Sequence, residues 1–187
     1  MGYIFDPEVL HDVVKRTVSE GGGLKDKITR VRAELSMLYP GHIRHEDEWV
    51  FNIAGGALGE MTIVHASLTE YVIVFGTPIG TQGYSGRFLA EDYFMVLEGE
   101  HWTFLEGDLE KHVMRPGERT ILRRGEAKAY RMPDRCYGVE YARGLIPTML
   151  PFGLADSFSS TLDPAPVWRT MRLYTRAVMG ELLRGKI

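Results

Sequence analysis

Two acids stand inside apolar, strand-like runs, and these are the side chains best placed to do chemistry. Glu140 is the centre of Tyr137-Gly138-Val139-Glu140-Tyr141-Ala142-Arg143-Gly144. Strand alternation puts Gly138, Glu140 and Ala142 on one face and Val139, Tyr141 and Arg143 on the other. Two small neighbours leave room above the carboxylate. In a dry site such a group is paired, protonated or at work; on an exposed face it is an ordinary solvated Glu. The second acid is Asp92, in Ala90-Glu91-Asp92-Tyr93-Phe94. Asp92 shares its face with Phe94 and Val96, while Glu91 goes with Tyr93 and Met95. If the Phe94 face is interior, Asp92 is a buried acid. Joined with Glu140 in one greasy cavity, the two cannot both ionise cheaply, so one keeps a proton. A matched acid and base of this kind suits proton transfer.

Other chemistry finds less support. The six histidines are His11, His42, His45, His65, His101 and His112. No two are spaced one residue apart on a strand with a Glu following, and His42 and His45 fall in a polar loop, so no metal is expected. His65-Ala66-Ser67 lacks the elbow motif that would make Ser67 a nucleophile. There is no P-loop and no C-x-x-C, and no cofactor is expected. The single Cys136 implies no oxidising compartment. A net charge of −3 gives no reason to expect nucleic acid.

The elements that must position these acids are legible from pattern. Asp6-Pro7-Glu8 is a helix start, followed by Val9, Leu10, Val13, Val14 and Val18 at helical spacing. Gly21-Gly22-Gly23 ends that helix. A second helix spans Leu24 to Leu38, with a stripe of Leu24, Ile28, Val31, Leu35 and Leu38. Lys25, Lys27, Arg30 and Arg32 read as its solvated face. From Glu48 to Arg143 the segments are short and rich in Val, Ile, Phe and Tyr. The expected strands lie at 49–51, with Gly55, Gly56 and Gly59 as breakers, then at 71–75, 88–97, 102–105, 120–122, 128–132 and 137–144. Thr62 to Ala66 is open between strand and helix, and a loop runs through Gly80, Gly83 and Gly86. Many short strands at regular spacing predict a sandwich or a small jelly-roll barrel.

The last part is helical. Pro147 opens an apolar helix to about Phe158, and Asp163-Pro164 opens another. The latter carries Val167, Trp168, Met171, Tyr174, Val178, Leu182 and Leu183 on an apolar side and Arg169, Arg172, Arg176, Arg184 and Lys186 as cations. It either lies in a membrane interface or packs on the barrel with its arginines snorkelling. The expected organisation of 187 residues is one domain: helices over 1–40, a barrel over 48–144 and helices over 147–187. Met1 to Phe5 is too short for a signal peptide or a spanning helix. An apolar fraction of 44% and a charged fraction of 25% are those of a folded globular chain.

Several segments resemble the fungal delta-8,delta-7-sterol isomerases and the sigma-1 receptor. They are Tyr3-Ile4-Phe5-Asp6-Pro7, Glu48-Trp49-Val50-Phe51-Asn52, Ala54-Gly55-Gly56, His65-Ala66-Ser67-Leu68-Thr69-Glu70-Tyr71, Phe75-Gly76-Thr77 and Ile146-Pro147-Thr148-Met149-Leu150-Pro151-Phe152-Gly153. Asp156-Ser157-Phe158-Ser159-Ser160-Thr161-Leu162-Asp163 looks like the isomerase branch. The resemblance implies an α+β fold: a metal-free, cupin-like antiparallel barrel with N-terminal helices and two C-terminal amphipathic helices. It also implies a homotrimer, peripheral on the endoplasmic reticulum membrane through those last helices. The family's amino-terminal anchor has no counterpart in this sequence.

By the same resemblance the receptor's amine-binding Glu matches Glu140, and the Tyr beside it matches Tyr71. Pocket-lining positions fall on Met61, Ile63, Ile73, Phe75, Met132, Leu150 and Tyr174. The receptor's second acid falls on Phe94, which makes Asp92, two residues back on the same face, the candidate second carboxyl. The implied activity moves a sterol ring double bond from the 8- to the 7-position, with Glu140 and Asp92 as acid and base in either order. The alternative is a binder of hydrophobic amines or sterols that turns nothing over.

Overall fold

The computed structural model describes residues 2–187; Met1, which begins the short stretch set against a signal peptide, lies outside them. Two helices come first. In α1 (Pro7–Ser19) the Asp6 carboxylate caps the Glu8 N–H at 2.8 Å, as the Asp-Pro start requires. Helix α2 (Leu24–Leu38) follows the glycine run. Ten strands come next: β1 (Val50–Ala54), β2 (Ala57–Ala66), β3 (Glu70–Thr77), β4 (Thr81–Tyr84), β5 (Ala90–Glu98), β6 (His101–Leu105), β7 (His112–Met114), β8 (Arg119–Leu122), β9 (Lys128–Met132) and β10 (Cys136–Gly144). A 3-10 turn over Ile146–Met149 leads into α3 (Leu150–Ser159), and α4 (Pro164–Leu183) closes the chain.

The strands form two antiparallel sheets, one ordered β1-β2-β3-β10-β5-β8 and one ordered β4-β9-β6-β7. This is a cupin-like jelly roll with flanking helices, an α+β architecture. The large sheet is apolar on both faces, so its central strands read as near-continuous hydrophobic runs. One face carries Val72, Val74, Tyr93, Met95, Val139 and Tyr141, which pack on Leu10, Val13, Val14, Val31 and Leu35 of α1 and α2. The other face looks across a cavity to the small sheet. Burial against the helices thus decides which face of β10 is left for Glu140.

Several details depart from the pattern reading. Gly59 does not break the chain; it lies within β2, and the true turn is Gly55-Gly56, both at positive φ (60° and 84°). The run through Gly80, Gly83 and Gly86 contains β4, and β7 was not foreseen. Thr62 to Ala66 is strand. Arg32 is not solvated: it is buried, donating to the Glu46 carbonyl at 2.7 Å and to Thr62 Oγ1 at 2.6 Å. Lys27 and Arg30 likewise spend donors on backbone carbonyls of Leu97, Thr17 and Gly21. Leu38 is exposed, outside the stripe that packs. The expected apolar side of α4 divides. Val178 is buried and Tyr174 lines the cavity, whereas Trp168, Leu182 and Leu183 are exposed.

One buried acid knits the layers together. Glu70 is fully buried and accepts from the Ile4 N–H at 2.6 Å, the Phe5 N–H at 3.3 Å and the Tyr141 hydroxyl at 2.9 Å. Lys186, beyond α4, is its ion-pair partner at 2.9 Å. These contacts join the segment before α1, β3, β10 and the residues after α4.

Candidate active site

Glu140 and Asp92 line the same cavity. Glu140 on β10 stands opposite Phe94 on β5, and Ala142 stands opposite Asp92. The two carboxyls are therefore diagonal neighbours on adjacent strands, about 7–8 Å apart at the backbone. Each is half-buried, and its accessible surface belongs to the cavity rather than to the outside of the molecule. The remaining walls come from both sheets and the C-terminal helices. Met61 and Ile63 come from β2; Tyr71, Ile73 and Phe75 from β3; Phe94 from β5; and Met132 from β9. Leu150 and Tyr174 line the cavity from α3 and α4, beside Met149 and Phe152.

The space expected above Gly138 is taken. A methyl group there would meet the Phe94 ring at 2.5 Å, so the missing side chain admits that ring rather than a ligand. Phe94 in turn stacks on His101 of β6, with centroids 4.5 Å apart. It is a wall of the cavity beside Glu140, where an acid had been matched by resemblance.

Four polar residues on the small sheet were missed: Lys128, Tyr130, His101 and Tyr84 all line the cavity. Met132 was expected there, and alternation along β9 carries the same face to Tyr130 and Lys128. That signal was present. Lys128 is buried and donates to Thr120 Oγ1 at 3.3 Å. His101 is buried with both ring nitrogens unpaired among the described residues, and desolvation first, then the charge of Lys128, holds its pKa down at about 3.

The electrostatics separate the two acids. Glu140 is pushed up to about 8, first by burial and then by the charge of Asp92; the Tyr71 hydroxyl, donating to Glu140 Oε1 at 2.5 Å, and Lys128 act against this. Asp92 is pushed up to about 6, again by burial, but the positive charge of Lys128 restrains it more than any other group. Asp92 Oδ1 has no hydrogen-bond partner among the described residues. At neutral pH the pair holds one proton, more on Glu140 than on Asp92. Tyr71 is raised well above its ordinary value by burial and by Glu140, and so stays a hydroxyl donor.

The histidines sort differently. Ligand-type atoms of His42, His65 and Glu181 lie within 4.8 Å of one another, a cluster that the sequence hid because Glu181 is distant in the chain. His42 Nδ1 lies 2.7 Å from Glu181 Oε2, the His65 ring donates through Nδ1 to the His42 carbonyl at 2.9 Å, and Arg184 reaches Glu181 Oε1 at 3.0 Å. The group ties α4 to the loop after α2. It lies off the cavity because β2 carries an extra residue between Ile63 and His65, which turns Val64 and His65 to the same side. His45 is no part of it.

Residues 1–186 match the family described as ERG2 and Sigma1 receptor like protein, and the chain belongs to that family. Among curated relatives it is 48% identical over 186 residues to the C-8 sterol isomerase erg2 of Aspergillus fumigatus, covering 98% of this chain and 78% of that protein. The C-8 sterol isomerase of Neurospora crassa is 47% identical, with 98% and 73% covered. That of Gibberella zeae is 46% identical, with 99% and 79% covered.

Proposed function

We propose that this protein is a sterol isomerase that moves a ring double bond from the 8- to the 7-position. The observation that carries the reading is one apolar cavity holding two carboxyls that differ in proton affinity, in a chain nearly half identical to proteins named C-8 sterol isomerase. Glu140, protonated at rest, gives its proton to carbon 9. The electrons of the 8,9 double bond form the new C–H bond, leaving a cation at carbon 8. Asp92, ionised at rest, takes a proton from carbon 7, and that C–H pair becomes the 7,8 double bond. Asp92 then releases its proton to water and Glu140 takes one from water, which restores the pair; nothing is oxidised, and in ordinary water the substrate mass is unchanged. A sterol ring has no polar handle at these atoms, so the apolar walls must place it. Carboxylate charge near carbon 8 stabilises the cation in a site that excludes bulk water.

A hydrophobic amine resembles that cation, so amines are expected as inhibitors. The exposed Phe158, Leu162, Trp168 and Leu183 around α3 and α4, beside the exposed cation Arg176, are read as the membrane-facing surface. No described helix is long and apolar enough to cross a membrane. Trimeric assembly at the endoplasmic reticulum completes the reading on family grounds. The test is turnover of a delta-8 sterol in heavy water: the delta-7 product should carry deuterium at carbon 9. Absence of conversion by folded protein would leave the binder as the better reading.

A further inference from the structure

Resting on the isomerase reading, the geometry points to Lys128 as the counter-charge that keeps one carboxyl of the pair ionised and tunes the cavity for a neutral alkene against permanent cations. Lys128 is buried, its side chain lines the cavity, and the one hydrogen bond of its ammonium among the described residues is to the Thr120 hydroxyl. An ammonium has three donors, so this contact alone does not account for its placement. No acid pairs with it directly among the described residues; Asp92 on β5 and Glu140 on β10 face it across the cavity. The other titratable groups there are Tyr71 on β3, Tyr84 on β4, Tyr130 on β9, His101 on β6 and Tyr174 on α4. Burial raises Tyr71, Tyr130 and Tyr174 and holds His101 neutral, so none of these four supplies a charge near neutral pH.

The charge count then follows. One ammonium, one carboxylate and one carboxylic acid sum to zero, which suits a neutral sterol. When Glu140 donates its proton, a carboxylate and a sterol cation appear together, and the sum is still zero. Without the ammonium, burial would favour protonation of both acids, and no base would remain to take the proton from carbon 7. Conversely, an amine that enters as a permanent cation meets a like charge at Lys128. Burial lowers Lys128 from its ordinary value while Asp92 and Glu140 hold it up, so the three groups support one another.

The experiment compares Lys128→Met, similar in size and uncharged, with Lys128→Arg, which keeps the charge. Lys128→Gln serves if the Met variant does not fold. Two readouts are taken on folded protein: delta-8 sterol turnover across pH, and the binding of the quaternary amine dodecyltrimethylammonium, a permanent cation, at pH 7. For the Met variant, turnover should fall by about a hundredfold and amine binding should tighten about tenfold or more. Its residual activity should need a higher pH, because Asp92 loses the charge that restrains its pKa. The Arg variant should keep the wild-type amine affinity. Slower turnover with amine affinity and pH profile unchanged would reduce Lys128 to a packing residue and overturn the proposal. A wild-type protein that turns over no sterol would sink the isomerase reading instead, while the amine comparison would still decide the role of the charge.

Discussion

At the scale of single residues, the two carboxyls set opposite limits on pH. Asp92 must be ionised and Glu140 protonated, so kcat/KM should be bell-shaped with limbs near 6 and 8. Tyr71→Phe removes a hydrogen bond that favours ionised Glu140, and should move the alkaline limb upward. Glu140→Gln should abolish isomerisation without unfolding the chain. Its effect on stability has a definite sign. The folded values of both acids lie above their ordinary 4.5 and 3.8, so between about pH 4 and pH 8 the unfolded chain releases protons first and wild-type stability falls as pH rises. The Gln variant loses the Glu140 part of that slope. It should gain on wild type with rising pH, most above pH 8, as thermal melts over a pH series would show. The acids themselves were legible because each breaks an apolar run. Lys128 was not, although period two from Met132 reaches it, because a lysine in a strand reads by default as an exposed edge.

At the scale of elements, faces were legible and lengths were not. The alternation of β10 from Gly138 to Gly144 against β5 from Ala90 to Val96 holds in the structure, and the register shifts only beyond it, between Tyr137 and Gly138. The extra residue in β2 has no signature in composition, so the orientation of His65 could not be read from its neighbours. The short strands β4 and β7 hide because three or four residues are too few to show a period. Gly138→Ala should push the Phe94 ring off the strand, at a cost of about 1–3 kcal/mol, and should slow turnover by disturbing the wall beside Glu140. Helix α3 is held to the β1–β2 turn by Asp156, whose Oδ2 accepts from the Gly56 N–H at 2.8 Å. Asp156→Ala should raise amide exchange across α3 while leaving the melting point nearly unchanged.

At the scale of the whole molecule, the parts most distant in sequence are joined by buried polar groups that no periodicity reports. Glu70 falls just before the strand expected at 71–75, and in the structure it holds the segment before α1, β10 and Lys186 together. Glu70→Ala strands the ammonium of Lys186 and the two N–H donors, and should cost about 3–5 kcal/mol in chemical denaturation. His42→Ala should loosen the C-terminal end of α4 around Glu181, beyond Tyr174 of the cavity wall, a change that amide exchange confined to that end of α4 would show.

The roof built by Met149, Leu150 and Phe152 with Tyr174 has a kinetic corollary. A rigid four-ring molecule cannot thread between those side chains one atom at a time, so each turnover needs the two helices to part twice. At saturating sterol the slow event should therefore be product escape. Running the reaction in heavy water should then leave kcat nearly unaltered, even though the proton delivered to carbon 9 is drawn from solvent.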